Sequence, residues 1–365
     1  MAKNAMRAKR LKKSLVPIIC VALVILLLVG SVVFTVFHYL GKIGRVDPNI
    51  ETIPPELEVF DTDEPEESTF TYPPETDSPD SSATDAYSGT TTQTTQQPVA
   101  TIAPEEITWE DIPAIGDDDI LNIMLVGQDR RPGEGRTRSD VMMLCSINPQ
   151  TGEVSLISFL RDLYVQIPGG YSDNRLNQAY FFGGFPLLYD AMYQNFGITI
   201  DGGFEVDFDG FVDIVDALGG VDVELSAAEA KIVGGGAVAG LNHLNGKQAL
   251  TYSRIRVLDN DFGRTNRQRE VMEALLNKFR NSDINTVLNL INTVLPMLTT
   301  DMTNAEIISL AKVLVPVAKT MEINTYSVPA SDCYTFASIR GMSVLLPDLP
   351  KIRDYLKNEY LPLNR

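Results

Sequence analysis

Residues 120–162 read ILNIMLVGQDRRPGEGRTRSDVMMLCSINPQTGEVSLISFLRD, and the predicted sheet is built from this segment. It contains three apolar runs, which are Ile120–Gly127, Val141–Ile147 and Val154–Leu160. An apolar run of this length, bounded by polar or turn-forming residues, is typical of a strand that is buried on both faces. The stretch therefore predicts three consecutive strands of one buried sheet.

The connections predict how these strands pair. A parallel pair needs a crossover of a dozen or more residues, usually a helix, and we judge the loop between the first two runs too short to hold one. The second connection, Asn148–Gly152, has strong turn chemistry. Both pairs are therefore predicted to be antiparallel, which brings four charged residues to one edge of the sheet: Asp129, Arg138, Asp140 and Arg161. They indicate a site, and surface charge beyond a buried strand is the simpler alternative.

Residues farther along the chain add helices to the sheet. Phe204–Phe208 has the pattern of a strand, Asp209–Leu218 has helical apolar spacing, and Val221–Leu225 returns as a strand after two glycines. This strand–helix–strand pattern indicates helices packed on a mixed sheet. We predict an α/β fold with α-β-α layers, in which helices flank a central mixed, largely antiparallel sheet.

Arginines are concentrated near the ends of two predicted helices. A short helix over Gly246–Ser253 delivers Arg254 and Arg256 at its end, and a long helix is predicted to start near Thr265. Three more arginines lie at the start of the long helix: Arg264, Arg267 and Arg269. The N-terminus of a helix carries partial positive charge and disfavours cations. These arginines therefore favour a bound anion such as phosphate over the alternative of solvated arginines on an exposed face.

Asp129 and Asp140 add carboxylates to this predicted anion site. Mg²⁺ binds one or two carboxylates together with substrate phosphates, so we predict Mg²⁺, or Mn²⁺ in its place. The chain has two histidines and three widely separated cysteines, which excludes a histidine-rich metal site and implies no disulfide framework. A GxxxxGK(S/T) loop and a Ser-His-Asp set are both missing from the sequence, which disfavours nucleotide hydrolysis and serine hydrolase chemistry.

The N-terminal segment has the charge pattern of a membrane anchor. Residues 1–45 contain eight Lys and Arg but no Asp or Glu, and residues 14–41 carry no charged side chain. About 20 apolar residues span a bilayer, and most of the positive charge precedes this run. We therefore predict a cytoplasmic tail over 1–13 and an uncleaved transmembrane signal anchor over 14–41. A cleaved signal peptide is the alternative.

The segment after the anchor is strongly acidic. Residues 46–119 contain twenty Asp and Glu but no Lys or Arg, whereas residues 120–365 hold 22 basic and 28 acidic residues, a net charge of −6. A segment rich in Pro, Thr, Ser and like charges has too little hydrophobicity to form a core. We predict a disordered linker over 46–119 and an extracytoplasmic catalytic domain over 120–365.

Ordered motifs in the predicted domain resemble the LytR-CpsA-Psr family of bacterial cell-envelope enzymes. The resemblance covers about residues 122–279 and rests on these segments: Asn122–Arg131, Arg138–Met143, Arg161–Val165, Arg175–Tyr180, Phe208–Phe211, Asp216–Val221, Leu244–Leu250, Tyr252–Arg256 and Asp261–Gln268. Two positions depart from the family pattern. Leu160 stands where the family usually has Pro, and Arg175 stands where it often has Lys. Both changes preserve the chemistry.

The resemblance implies an activity. Members of the family transfer a glycopolymer, such as teichoic acid or a capsular polysaccharide, from a polyprenyl-pyrophosphate carrier to peptidoglycan. The implied partners are the lipid-linked glycopolymer, peptidoglycan and the lipid bilayer, with no nucleic acid. The implied location is the cell membrane, spanned once, with the N-terminus in the cytoplasm and the catalytic domain outside. Two alternatives stay open, a polyprenyl-pyrophosphate pyrophosphatase and a non-catalytic envelope regulator that binds polyprenyl phosphate.

The resemblance also implies residue roles. The implied metal ligands are Asp129 and Asp140. The implied pyrophosphate-binding residues are Arg138, Arg161, Arg175, Arg254, Arg256, Arg264 and Gln268. The implied catalytic set is Asp129, Asp140, Arg138, Arg161 and Arg256. The sequence shows no clear general base: Asp140 and Asp162 are candidates, and activation of the acceptor hydroxyl mainly by the metal and by positioning is the alternative. The polyprenyl tail is expected in an apolar pocket between sheet and helices.

Overall fold

The structure is a computed structural model that describes residues 38–46, 52–58, 100–116, 118–128, 136–259, 261–281, 294–317 and 320–364. Its strands are β1 (Gly44–Arg45), β2 (Ala100–Thr101), β3 (Leu121–Gln128), β4 (Ser139–Ile147), β5 (Glu153–Phe159), β6 (Tyr164–Val165), β7 (Asn174–Arg175), β8 (Gly202–Asp207), β9 (Val221–Leu225), β10 (Gly240–Leu244), β11 (Thr299–Thr300), β12 (Glu322–Val328), β13 (Tyr334–Ile339) and β14 (Met342–Pro347). Its helices are α1 (Leu176–Phe196), α2 (Phe208–Ala217), α3 (Ala227–Val233), α4 (Gly246–Ser253), α5 (Asp261–Asn281), α6 (Asn304–Val317) and α7 (Leu349–Tyr355).

Seven of these strands form the central sheet, in the order β1-β11-β8-β3-β4-β5-β12. Strand β3 is antiparallel to β4, with Met124 opposite Leu144, and β4 is antiparallel to β5, with Leu144 opposite Ile157. These pairings confirm the prediction of two antiparallel pairs between residues 120 and 160. They also bring the end of β3, the start of β4 and the end of β5 to one edge of the sheet.

The sheet is mixed, as predicted, but it is not largely antiparallel. Among the described strands, β1 with β11, β3 with β8 and β5 with β12 are parallel pairs, and the other three pairs in this sheet are antiparallel. Strands β8 and β12 reach the sheet from distant parts of the chain, and a long connection allows a parallel pairing. The local pattern between residues 120 and 160 carries no information about these partners.

Strand β9 also differs from the prediction, because it pairs with β10 in a separate two-stranded sheet. Its residues alternate between buried and exposed positions. This alternation is typical of an antiparallel strand with one solvated face, whereas a central parallel strand is buried on both faces. Strands β8 and β9 and the helix α2 between them are therefore not a βαβ unit of the main sheet.

Two hydrophobic cores fix the helices. In the larger core, Met124, Leu144 and Ile157 from the sheet pack with Phe185 of α1 and Ile352 of α7. Full burial of one such side chain contributes about 1.5–3 kcal/mol. The second core joins α2, α3, α4 and α5 to the β9–β10 sheet. Because α5 also contacts β5 and β12, its N-terminal turns are held near the charged edge of the main sheet.

Part of the predicted linker is folded against the domain, which corrects its predicted limits. The backbone N–H of Ile53 donates to the carbonyl oxygen of Phe182 at 2.9 Å. Strand β2 pairs with β13, and Trp109 stacks on Tyr164 with ring centroids 6.3 Å apart. The acidic composition of residues 46–119, taken as a whole, gives no indication of these apolar and backbone contacts. The folded domain therefore includes residues 52–58 and 100–116.

The predicted tail over 1–13 and anchor residues 14–37 lie outside the described residues, as do linker residues 59–99. In the part of the chain that the structure describes, no helix has the length and apolarity to cross a membrane.

Candidate active site

The charged edge of the sheet holds an ion pair between two predicted site residues. Asp140 lies at the start of β4, and Arg161 follows the end of β5. Arg161 Nη1 donates to Asp140 Oδ1 at 2.9 Å, and both side chains are 22% exposed. Their convergence confirms the prediction for this pair. Asp129, the other predicted carboxylate of this edge, lies outside the described residues.

Helix α5 brings a further arginine to this edge. The helix begins at Asp261, one turn before the predicted start near Thr265, because a carboxylate in the first turn interacts favourably with the helix dipole. Arg264 Nη2 lies 2.8 Å from the Asp261 carboxylate, and the Arg264 side chain is only 2% exposed. The predicted cationic helix start is thus partly neutralised by an aspartate of its own first turn.

Ion pairs connect these groups into one cluster. Arg256 Nη2 lies 3.5 Å from Asp140 Oδ1, and Arg161 Nε lies 3.6 Å from Asp162 and 3.7 Å from Asp261. Arg175 Nε lies 3.5 Å from Asp162. We call this set the arginine cluster: Arg161, Arg175, Arg256 and Arg264 with Asp140, Asp162 and Asp261. Among the described residues, the cluster thus places four guanidinium groups beside three carboxylates.

Arg264 is the most deeply buried member of the cluster and has unused donors. Its Nε and Nη1 atoms are buried and have no hydrogen-bond partner among the residues that the structure describes. A buried donor without a partner costs about 1–3 kcal/mol, and more when it is charged. Burial lowers the pKa of Arg264, against the attraction of Asp261, but a guanidinium group stays protonated in proteins. The arrangement is therefore suited to an anionic oxygen that would accept from these two nitrogens.

The cluster gives its two central carboxylates opposite pKa shifts. Burial by itself would raise the pKa of Asp140, but the guanidinium groups of Arg161, Arg264 and Arg256 outweigh it and hold that pKa below its ordinary value. Burial raises the pKa of Asp162, and the attraction of Arg161 offsets this only in part. Asp140 is consequently held ionised, whereas Asp162 accepts a proton more readily.

Three predicted site residues make different contacts. The Arg138 guanidinium lies 5.8 Å from the ring centroid of Phe181, and that of Arg254 lies 4.4 Å from the ring centroid of Phe208. Gln268 donates to the Ser253 carbonyl oxygen at 3.4 Å. Each of the three residues is two to four positions in sequence from a member of the arginine cluster.

Arg267, which the sequence analysis grouped with the anion site, has a structural role instead. Its Nη2 lies 2.6 Å from Asp259 Oδ1, and its Nη1 lies 3.2 Å from Glu229 Oε1. Nη2 also donates to the Ile255 carbonyl oxygen at 2.7 Å. These contacts tie the start of α5 to α3 and to the segment that follows α4. These contacts favour a structural role for Arg267 over anion binding.

Asp261 belongs to the arginine cluster but is not among the predicted site residues, although it lies within the matching segment Asp261–Gln268. It contacts Arg264 and lies within ion-pair distance of Arg161. The signal was the spacing of Asp261 and Arg264, which are three residues apart and therefore neighbours on a helix surface. The predicted helix start at Thr265 concealed this signal by leaving Asp261 outside the helix.

The described residues contain no group of three His, Cys, Asp or Glu side chains that could hold a metal ion. Of the two predicted ligands, the structure describes only Asp140. Its ionised carboxylate supplies oxygen donors, which suit a hard cation such as Mg²⁺. Its Oδ1 atom also contacts Arg161 and Arg256.

Comparison with known proteins decides the family. The LytR_cpsA_psr family profile matches residues 81–358. The chain belongs to this family. Within it, a Bacillus mycoides (strain KBAB4) protein named polyisoprenyl-teichoic acid–peptidoglycan teichoic acid transferase TagU is 39% identical over 160 residues, which is 43% of this chain and 52% of that protein. The chain thus spans about half the length of the curated relatives that it matches.

Solved LytR_cpsA_psr-type structures share the fold over most of their length. The structure described as "TagT bound to LI-WTA" has a TM-score of 0.55 and 24% identity, and it covers 67% of this chain and 91% of that chain. Bacillus subtilis TagV has a TM-score of 0.53 and 26% identity, over 68% of this chain and 99% of its own. These matches confirm the mixed α/β architecture of a central sheet flanked by helices.

Proposed function

We propose that this protein is a phosphotransferase that moves a glycopolymer, teichoic acid or another wall polysaccharide, from polyprenyl pyrophosphate to peptidoglycan. The TagU relative is named as a teichoic acid transferase, which supports this substrate class. The observation that carries the proposal is the buried guanidinium of Arg264, whose Nε and Nη1 atoms have no partner within a cluster of arginines. A diphosphate is rich in the acceptor oxygens that such donors need.

In this proposal the arginine cluster binds the pyrophosphate of the donor. Guanidinium groups that are fixed before the reaction stabilise the negative charge that develops on the phosphate oxygens. An acceptor hydroxyl attacks the sugar-linked phosphorus, and a new O–P bond forms. The bond from this phosphorus to the bridging oxygen breaks, and polyprenyl phosphate leaves with the electron pair.

Asp162 is the group we assign to accept the proton of the attacking hydroxyl. A general base works best when its pKa lies near the operating pH, and burial raises the pKa of Asp162. Asp140 is less suited, since neighbouring arginines hold its pKa low. This difference favours Asp162 where the sequence left both candidates open.

Asp140 is instead the proposed ligand of Mg²⁺ or Mn²⁺, together with Asp129. A divalent cation supplies charge neutralisation on the transferred phosphate. Arg161 and Arg256 orient the Asp140 carboxylate through its Oδ1 atom. The same contacts keep it ionised, which is the state that binds a cation.

A transfer assay tests the proposal with a synthetic lipid-linked teichoic acid donor and purified peptidoglycan. The wild-type chain is expected to produce polymer joined to peptidoglycan. Arg264→Ala removes charge-assisted hydrogen bonds of about 1.5–3 kcal/mol, so transfer should fall roughly 10- to 150-fold. Arg280→Ala is the matched control, because Arg280 is on the same helix but donates to the Met321 carbonyl oxygen.

The same assay separates the two alternative functions. Release of polyprenyl phosphate without polymer on the peptidoglycan would identify a pyrophosphatase that uses water as the acceptor. Binding of the donor without any turnover would identify a non-catalytic regulator. Either result contradicts the proposed transfer.

We also propose that the protein crosses the cell membrane once, with its N-terminus in the cytoplasm and the folded domain outside. The charge asymmetry around residues 14–41 supports this topology. Protease added to wall-stripped cells should then remove the domain and spare residues 1–13. Survival of the domain on the protease-treated, wall-stripped cells would contradict this topology.

A further inference from the structure

A pocket lies beside α5, on a different face of this helix from the arginine cluster. Arg264 and Arg269 are five residues apart on this helix, so they lie about 140° apart around its axis and about 7.5 Å apart along it. Arg269 lines a pocket of about 530 Å³ together with residues of β12 and β13. Small-molecule sites have volumes of roughly 300–1,000 Å³. We call this site the aromatic pocket.

Four aromatic residues line the aromatic pocket. Tyr326 stacks on Tyr360 with ring centroids 4.4 Å apart, and Phe262 stacks on Tyr334 with ring centroids 5.3 Å apart. Phe336 packs edge-on against Tyr334 and is 59% exposed, so the aromatic surface continues beyond the pocket. Aromatic faces carry partial negative charge, which suits the partially positive C–H groups of a sugar ring.

Arg269, which lines this pocket, has guanidinium donors that are not used. Its Nη2 atom donates to Asn266 Oδ1 at 2.9 Å, whereas Nε and Nη1 are buried and have no partner among the described residues. Burial lowers the pKa of Arg269. The adjacent carboxylate of Glu270 does not satisfy it, because Glu270 accepts hydrogen bonds from Asn266 and Tyr252. Within the described part of the chain, Arg269 is therefore a largely buried cation without an anionic hydrogen-bond partner.

Ser327 adds a second unused polar group. Its Oγ atom is buried without a hydrogen-bond partner, and the residue lines the same pocket. A pocket with apolar walls and a few convergent polar groups is the usual form of a small-ligand site. Here the polar groups include a cation and a hydroxyl, and aromatic residues form part of the walls.

We propose that the aromatic pocket binds an acidic sugar ring, with the acidic group on Arg269, the ring on the aromatic faces and a hydroxyl on Ser327. The ligand is a carboxylate-bearing saccharide, whether it comes from the wall glycan or from the transferred polymer. This binding stands apart from the proposed transfer reaction, because it needs neither the arginine cluster nor turnover.

Ligand-detected NMR titrations of the full-length chain test this proposal with matched probes. N-acetylmuramic acid and glucuronic acid carry both a sugar ring and a carboxylate, N-acetylglucosamine and glucose carry the ring alone, and lactate carries the carboxylate alone. The two acidic sugars are expected to bind at least ten-fold more tightly than the neutral sugars or lactate. Their relative affinities indicate whether the wall glycan or the polymer is the source.

Variants connect the binding to the pocket. Arg269→Ala should weaken binding of the acidic sugars about ten-fold or more, and Tyr326→Ala should weaken binding of acidic and neutral sugars alike. Arg280→Ala is the control on the same helix and should bind normally. The melting temperature of Arg269→Ala should hold or rise, because an unpaired buried charge is removed.

Three results would overturn the proposal. One is the absence of binding by every probe at tens of millimolar. Another is equal binding of acidic and neutral sugars in the wild-type chain and in Arg269→Ala. The third is binding of lactate or a short peptide carboxylate as tight as that of the acidic sugars, since the ring would then contribute nothing. The transfer assay with Arg264→Ala is read independently, so failure of one proposal leaves the other measurable.

Discussion

Arg264 and Arg267 lie three residues apart on α5 and are almost equally buried, at 2% and 4% exposure, yet their surroundings differ. Both terminal nitrogens of Arg267 contact carboxylates, those of Asp259 and Glu229, and only its Nε lacks a partner. Arg264 has one carboxylate partner, Asp261, and two nitrogens without any.

The difference separates a structural arginine from a binding arginine. The carboxylates around Arg267 offset the desolvation of its charge within the protein, so its interactions are nearly complete in the folded state. Arg264 is left with a desolvation cost that the protein does not offset. We infer that a ligand completes the coordination of Arg264, and that the number of unpaired donors, rather than burial, distinguishes the two roles.

The largest expected effect concerns the proposed binding site that contains Arg264. Asp162→Asn removes the proposed proton acceptor beside Arg264, so the transfer rate should fall roughly 100- to 10,000-fold. The wild-type rate should rise with pH through the pKa of Asp162, which burial raises above the ordinary value, because only the deprotonated form accepts a proton. Rate measurements across pH check this, with Asp354→Asn, whose side chain is 72% exposed, as the control. A variant that keeps both the rate and its acid limb would contradict the assignment.

The next effect tests the structural role of Arg267. Arg267→Met leaves Glu229 and Asp259 without their partner, and breaking a buried ion pair costs about 3–5 kcal/mol. Because Asp259 is 38% exposed, we expect a smaller loss, about 2–3 kcal/mol in the free energy of unfolding. Urea unfolding measures it, and the folded fraction should keep its transfer rate. Loss of transfer with unchanged stability would assign Arg267 to the binding site.

Arg264→Met should give the opposite result. Transfer should fall about 10- to 150-fold, while the free energy of unfolding stays equal or rises because a partly unpaired buried charge is removed. Parallel transfer assays and urea unfolding check the two quantities. A variant that is less stable and fully active would place Arg264 with Arg267 as a structural residue.

The smallest effect separates charge from geometry at Arg264. Arg264→Lys keeps the positive charge but loses the planar set of donors. Transfer by this variant should lie between that of the wild-type chain and Arg264→Met, within about ten-fold of wild type. Full recovery by Lys would mean that the site needs only a point charge.

The parts of the fold that follow from local pattern could be predicted from the sequence. Strands β3, β4 and β5 and helix α4 lie close to their predicted limits because each is defined by its own apolar spacing and turn residues. The parallel partner of β5, β12, begins at Glu322 and could not be inferred, since its pairing depends on contacts between distant segments. The packed residues of the acidic segment, such as Trp109, were hidden by the average composition around them.

The residue types of the arginine cluster, and the edge of the sheet where they lie, could be predicted from the sequence. Asp140, Arg161, Arg256 and Arg264 meet as expected because strand ends and helix ends fix their positions. Sequence spacing could not separate Arg264 from Arg267, since the Glu229 that neutralises Arg267 is 38 residues away in the chain. Which arginine remains unpaired is a property of the tertiary structure.

Binding of farnesyl pyrophosphate to the full-length chain, measured by titration calorimetry, distinguishes the roles of the two arginines when the wild type, Arg264→Met and Arg267→Met are compared. We predict that Arg264→Met binds at least ten-fold more weakly than the wild type, and that the folded fraction of Arg267→Met binds within about two-fold of it. Equal binding by the wild type and Arg264→Met would contradict the claim that the unpaired donors of Arg264 bind the pyrophosphate.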